Sequence, residues 1–394
     1  MIYLDNNATT PIDPEVFDAM EPYLKEEYGN PSSKYYLKAE NAQRAVEFAR
    51  EKVAELINAK PKEIIFTSGA SECNNLIIKG VADYKKYYEN KGNHIITSKT
   101  EHKSVLQTCK FLNGEAYMNT EKSGMFTQEP KKIDRGYEVT FLDVDSNGQV
   151  SSEELVKAIK ENTVLASIIW GNNEIGTLNN IESLVSIAKE KDILFHSDAT
   201  QVLGKIKIDV GKTKVDFLSF SAHKLYGPKG IGAAYIRSNK YTMPQITSLI
   251  HGGSQEKGYR AGTLAVHNIV GFGKSCEIAL REMKQYVEKI KSYEAELRKG
   301  LQSIFDNIIF ISDQIEHIPG TISFILPDKH NELFIKKLSQ KIALSSGSAC
   351  SISEPSYVLK AINLDKYNTN FFRISLNKFI VDDIKVEEII SQFK

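Results

Sequence analysis

Short apolar runs alternate with longer mixed stretches along this chain. Between about residues 63 and 237, Glu63–Phe66, His94–Ser98, Glu138–Leu142, Ile193–Asp198 and Val215–Leu218 read as strands. They are too short for helices and rich in β-branched or aromatic residues. The stretches between them show helical spacing, one beginning near Cys73. Such alternation predicts a mostly parallel sheet covered by helices. Near residue 262 the pattern changes. A long amphipathic stretch, from about Ala265 to Ser303, leads into strands such as Thr321–Ile325. The expected fold class is α/β. A large domain spans 15–261, and a smaller α+β domain combines 1–14 with 262–394.

Residues with chemistry fall just after the strands, where open α/β sheets bind ligands. Lys224 closes the run Ser219–Lys224 and precedes the breaker-rich turn Leu225–Gly230. Most lysines lie on solvated faces. One at a strand mouth, flanked by serines and a histidine, is placed to form a Schiff base. Other parts of a pyridoxal 5'-phosphate (PLP) site follow. Asp198 ends its strand, with Gln201 three residues on. An aspartate beside a pyridine nitrogen keeps it protonated, which makes the ring an electron sink. Gln201 could donate to the ring hydroxyl; the plain alternative for Asp198 is a helix cap. Thr67–Glu72 turns into a helix through Gly69, Ala70 and Ser71. Small residues there let amides reach a phosphate, although an ordinary N-cap has the same look. His102, in Thr100–Lys103, could stack on a ring and move protons; a loop histidine is otherwise surface. Cys350 lies in the small, polar run Ser345–Ser356 and is expected to be exposed. An exposed thiol works as a thiolate once a cation or base acts on its ordinary pKa of about 8.5, whereas most free cysteines are buried and inert.

Taken in order, several blocks resemble cysteine desulfurases of the IscS/NifS type over nearly the whole chain. They are Tyr3–Pro11, Gly29–Ser33, Thr100–Lys103, Asn172–Gly176, Asp198–Gln201, Ser219–Lys224, His251–Gly253, Arg260–Thr263, Ser345–Cys350 and Arg373–Leu376. The resemblance implies the PLP-dependent transferase fold of the aspartate-aminotransferase type I class, as a homodimer. It gives Lys224 the Schiff-base role, and Asp198 and Gln201 the ring nitrogen and ring hydroxyl. His102 becomes the stacking, proton-moving residue. Ala70 (through its backbone), Ser71, Ser221 and His223 become phosphate ligands, and Thr263 reaches the other subunit's phosphate. Asn173 and Arg373 are implied to bind the substrate carboxylate, for which a guanidinium fork is well shaped. Cys350 is the implied sulfur acceptor. The implied reaction takes sulfur from L-cysteine, releases L-alanine and leaves a persulfide on Cys350 for an acceptor protein. Same-fold alternatives are a selenocysteine lyase or another PLP-dependent lyase or aminotransferase. A non-enzymatic alternative is an inactive assembly scaffold, against which the full residue set argues. The sulfur's destination stays open among iron–sulfur assembly, tRNA thiolation, cofactor synthesis and DNA phosphorothioation.

The chain departs from that family in places. Ser71 replaces a usual threonine but keeps the hydroxyl, and Cys73 replaces serine and is expected to be a packed thiol. The loop beyond Cys350 is about two residues shorter than in long-loop relatives. An extra stretch, about Asn113 to Arg135, reads as a surface insertion or a partner-docking flap. The chain stops at Lys394, so docking through a C-terminal tail is not expected.

Composition narrows the partners. Lys+Arg and Asp+Glu both number 50, which steers the chain toward neither nucleic acid nor membrane. No run approaches a spanning helix, and the start lacks the pattern of a signal peptide. The four cysteines, Cys73, Cys109, Cys276 and Cys350, form neither a disulfide framework nor metal-ligand spacing. No metal is expected, and a reducing cytoplasm is.

Overall fold

The structure, a computed structural model, describes residues 1–122, 125–239, 242–347 and 355–394, with backbone alone for 116–122 and 125–130. Cys350 lies outside the described residues.

The central sheet has seven strands. Their spatial order is Ile64–Thr67, Gly232–Ile236, Phe217–Ser221, Leu194–Asp198, Thr163–Ser167, His94–Ser98 and Glu138–Leu142. Neighbours run parallel except around Gly232–Ile236, which is antiparallel to both flanking strands. Residues 222–231 leave too little chain for a crossover helix, so this strand must turn straight back. Most strand residues are buried on both faces, as expected for a parallel sheet clad in helices. Helices Leu37–Leu56, Ala70–Tyr87, Lys103–Leu112 and Ile181–Glu190 supply that cladding.

A second sheet pairs Ile309–Ile311, Thr321–Ile325 and Phe371–Ser375, all antiparallel. Its core includes Leu4, Ile322, Phe324, Phe372 and Ile389, and the Phe324 and Phe372 rings stack 5.5 Å apart. Helix Val266–Gln302 serves both cores. Ile269, Phe272 and Cys276 pack into the large one, while Tyr293, Leu297 and Leu301 pack into the second.

The N-terminal segment straps the two together. Ile2–Tyr3 pairs in parallel with Ile342–Ala343. Ser375 N–H then donates to Leu4 O at 2.7 Å, Thr10 N–H to His223 O at 3.0 Å, and Asp13 N–H to Tyr226 O at 3.0 Å. Within the extra stretch, strands Glu115–Lys122 and Met125–Lys132 pair as an antiparallel hairpin. At its base the Arg135 guanidinium lies 3.7 Å from the Phe111 ring centre.

Candidate active site

The C-terminal ends of the parallel strands meet the second sheet at a cavity of about 460 Å³. It gathers Ala70, Ser71, His102, Asn173, Asp198, Gln201, Ser221, His223, Lys224 and Arg373 from distant parts of the chain. Thr263 does not line it; that residue is exposed in the turn before helix Val266–Gln302.

Lys224 stands one short helical turn beyond strand Phe217–Ser221. Its Nζ donates to Asn7 O at 2.5 Å and Ala8 O at 2.6 Å. The N-terminal strap therefore holds the lysine end inside the cavity. Asp198 is buried at its strand end. One carboxylate oxygen accepts from Thr200 N–H at 3.0 Å and the other from Asn74 Nδ2 at 2.8 Å. The second Asn74 amide hydrogen goes to Ser104 Oγ, also at 2.8 Å. Ser104 in turn donates to His102 Nδ1, by hydroxyl at 2.8 Å and by backbone N–H at 3.2 Å. With Nδ1 accepting, the neutral ring carries its proton on Nε2. Burial holds His102 below the ordinary imidazole range; Lys224 and Lys103 push the same way and Asp198 opposes them.

The opposite wall suits an anion. Gly69, at φ +153°, caps helix Ala70–Tyr87, and a Cβ there would stand 3.7 Å from Ser221 Oγ. Gly232 must also be a glycine, because its Cβ would lie 2.6 Å from Gly69 Cα. The amides of Ala70 and Ser71 have no hydrogen-bond partner among the described residues and begin the helix. His223 adds a neutral imidazole, its pKa pushed down to about 4 by burial, then by Lys224 and Lys229. Glu72 would oppose an anion, but Arg260 Nε pairs with it at 2.9 Å.

Arg373 projects from strand Phe371–Ser375 and is almost fully buried. Its Nη2 donates to Asp5 Oδ1 at 2.6 Å and its Nη1 to Asn173 O at 2.8 Å. Nε is buried with no partner among the described residues. A buried guanidinium with a spare donor is a ready carboxylate site. Gln201 Nε2 donates to Asn7 O at 2.9 Å, so its amide is turned toward the strap.

Several contributors, Asp5, Asn7, Asn74, Ser104 and Lys205 among them, carry no role that the sequence alone assigns. Asn7 sits inside the motif Tyr3–Pro11 but carries no chemistry that singles it out. Asn74 is one turn inside a helix, where an asparagine gives no local cue. Lys205 donates to Asn7 Oδ1 at 3.3 Å and Gln201 Oε1 at 3.5 Å, and burial pushes its pKa down to about 7, with Lys224 and Arg373 adding to the effect. The described cysteines, Cys73, Cys109 and Cys276, are buried, and burial raises Cys73 to about 12, which makes it the packed thiol expected.

These residues fit PLP. The glycine-floored helix start fits the phosphate, the Asp198 carboxylate fits a pyridine nitrogen, and Lys224 fits the aldehyde carbon.

The Aminotransferase class-V family matches residues 2–383. A cysteine desulfurase IscS of Plasmodium falciparum is 44% identical over 96% of this chain, which spans 65% of that relative's length. The cysteine desulfurase IscS of Methylobacillus flagellatus is 42% identical over 97% of this chain and 89% of its own. Among solved structures, a NifS-like protein superposes with a TM-score of 0.85 at 36% identity, covering 100% of this chain and 97% of that one. A structure described as SspA in complex with cysteine gives 0.77 at 36% identity, covering 95% and 99%. The chain belongs to the aminotransferase class-V family of PLP enzymes, where its relatives are cysteine desulfurases of the IscS and NifS type.

Proposed function

We propose that this chain is a PLP-dependent cysteine desulfurase. One observation carries the reading: Lys224, Asp198, His102 and the buried Arg373 line a single cavity in a chain whose relatives bear that name. Bound PLP supplies an electron sink for the α-carbanion of an amino acid. Asp198 would hold the ring nitrogen and Gln201 the ring hydroxyl. The amides of Ala70 and Ser71, with Ser71, Ser221 and His223 side chains, would hold the phosphate.

Arg373 and Asn173 orient the carboxylate of L-cysteine. Lys224 Nζ lines the same cavity and would carry the α-proton of a bound amino acid. His102 lines the same cavity, and its Nε2–H would hand over or recover a proton there. The Cys350 thiolate attacks the substrate sulfur. An S–S bond forms as the C–S bond breaks, the electron pair leaves with carbon, and a proton completes alanine. The extra sulfur remains on Cys350 as a persulfide.

The exposed placement of Thr263, outside its own cavity, supports a homodimer in which it serves the partner's phosphate. A sulfur-acceptor protein completes the cycle. The separate cores support two domains, which we set at 15–261 and 1–14 plus 262–394, although the first half of helix Val266–Gln302 packs into the larger core. Among the described residues no helix is long and apolar enough to cross a membrane, and we place the protein in the cytoplasm.

The test is incubation with L-cysteine, followed by intact mass and an alanine assay. Sulfur gain and alanine release are expected, both lost in Cys350→Ala. Lys224→Ala is expected to lose the yellow PLP adduct and turnover. Undiminished turnover in that variant would overturn the lysine assignment.

A further inference from the structure

The amine end of Lys205 is buried, and the reaction above does not use it. The residue lies four places past Gln201, in the turn beyond strand Leu194–Asp198. Backbone hydrogen bonds fix that turn. Val202 N–H and Leu203 N–H both donate to Ala199 O at 3.1 Å, and Lys205 N–H donates to Val202 O at 3.0 Å. The Tyr286 hydroxyl, from helix Val266–Gln302, donates to Gly204 O.

The amine bridges two amides, Asn7 Oδ1 at 3.3 Å and Gln201 Oε1 at 3.5 Å. A backbone carbonyl, which can only accept, sets the direction of each amide. Asn7 Nδ2 donates to Asn173 O at 3.2 Å, and also to Thr321 Oγ1 at 3.1 Å, so Asn7 Oδ1 is the end left for Lys205. Gln201 Nε2 donates to Asn7 O at 2.9 Å, so Gln201 Oε1 likewise faces the amine. Reversing the Gln201 amide would set its oxygen against Asn7 O and its NH2 against an ammonium, two repulsions at once. One Nε2 hydrogen thus goes to Asn7 O, and the second remains for the cavity that Gln201 lines. The charged groups acting on Lys205 are Lys224, which shares the Asn7 O acceptor, and Arg373, which shares Asn173 O. Burial and these two cations draw its pKa down to about 7. A buried amine held by neutral acceptors costs stability unless something requires it there.

We propose that Lys205 is a positioning residue for the cofactor: with Asn7 it fixes which end of the Gln201 amide faces the strap, and so keeps the second Nε2 hydrogen for the oxygen on the PLP ring. The inference rests on PLP occupying the cavity with Gln201 at that oxygen. An anionic ring oxygen would draw the Lys205 pKa back up, which favours the ammonium that enforces the arrangement. A donor at the ring oxygen stabilises it as an anion, and the nitrogen joining PLP to Lys224 then releases its proton more readily. The pKa of the yellow adduct therefore reports the donor, with no substrate present.

The test is an absorbance titration of the PLP-loaded protein in wild type, Lys205→Met, Gln201→Leu and the double variant. Lys205→Met nearly keeps the length of the side chain and removes its donors. It is expected to raise the adduct pKa by roughly one unit, and Gln201→Leu by at least as much. Because Lys205 acts through Gln201, the double variant is expected to match Gln201→Leu within about 0.3 unit. Should Lys205→Met not fold, Lys205→Leu is read in the same way. A shift with Gln201→Leu but none with Lys205→Met overturns the proposal. Shifts that add in the double variant also overturn it, since Lys205 would then act as a bare charge. If wild type forms no yellow adduct, or Gln201→Leu leaves its pKa unmoved, the cofactor placement itself fails, and this inference falls with it.

Discussion

The ion pair between Arg50 and Glu256 offers a strong test of what holds the large core to the loop before residue 263. Both residues are about 95% buried, at 5% and 6% exposure. The guanidinium fork meets the carboxylate at 2.8 and 2.7 Å, and Arg50 Nη1 also reaches Ile64 O at 2.8 Å. Phe66 N–H donates to Glu256 Oε2 at 2.6 Å, so the carboxylate also closes one edge of strand Ile64–Thr67. Glu256 and Lys257 adopt left-handed φ values of 46° and 58°, a strain the pair must overcome. Glu256→Ala orphans the Phe66 amide and leaves a buried cation whose one remaining carboxylate partner among the described residues is the half-exposed Glu47, 3.2 Å from Arg50 Nε. Removing one partner of such a pair costs about 3–5 kcal/mol. An unfolding entropy of about 2.1 cal/mol/K per residue gives about 0.8 kcal/mol/K for this chain, hence a Tm lower by roughly 4–6 °C. Differential scanning calorimetry at a fixed scan rate would read it. Replacing both charges, as Arg50→Met with Glu256→Leu, is expected to recover most of the loss, because no unpaired charge remains. A single-variant loss under about 1 kcal/mol, or a double variant no better than the single, would refute the reasoning.

Two further predictions concern the cavity. Arg373→Lys keeps the charge but loses the fork, and kcat/KM for L-cysteine is expected to fall roughly 10²-fold, mostly through KM. PLP absorbance should be unchanged, and a fall confined to kcat would contradict a carboxylate-binding role. Lys205→Met is expected to stabilise the PLP-stripped protein. Between about pH 7 and the ordinary lysine range, unfolded chains bind the extra proton and folded ones do not, so wild-type stability rises with pH there. The gain should therefore be full below pH 7, about 2 kcal/mol after allowing for partial solvation, and fade toward pH 10. A Tm difference that does not vary with pH would count against it.

Several strands of the central sheet were legible because each is a short apolar run, although Thr163–Ser167 was not singled out. His94–Ser98 and Glu138–Leu142 match the expected bounds, and helix Val266–Gln302 lies within a residue of them at each end. The reversal at Gly232–Ile236 was not legible from periodicity, since direction depends on connection length. The hairpin Glu115–Lys122 and Met125–Lys132 lacks clean polar–apolar alternation, so nothing in its pattern announced strands. Site residues that follow strands stood out by position and type. The contacts of Asn74 with Asp198, Asp5 with Arg373 and Lys205 with Asn7 join residues far apart in sequence, and no local pattern records such pairings.

The first dozen residues bring no nucleophile or acid to the chemistry, yet they grip both of its ends. Asp5 engages the guanidinium of Arg373, and two and three residues later the carbonyls of Asn7 and Ala8 take the ammonium of Lys224. A carboxylate at Arg373 would meet a guanidinium already paired with Asp5, two peptide units from the carbonyls that hold the lysine. The head of the chain thus works as a tendon between recognition and reaction. Trimming it would strip Lys224 and Arg373 of the partners that hold them in the cavity.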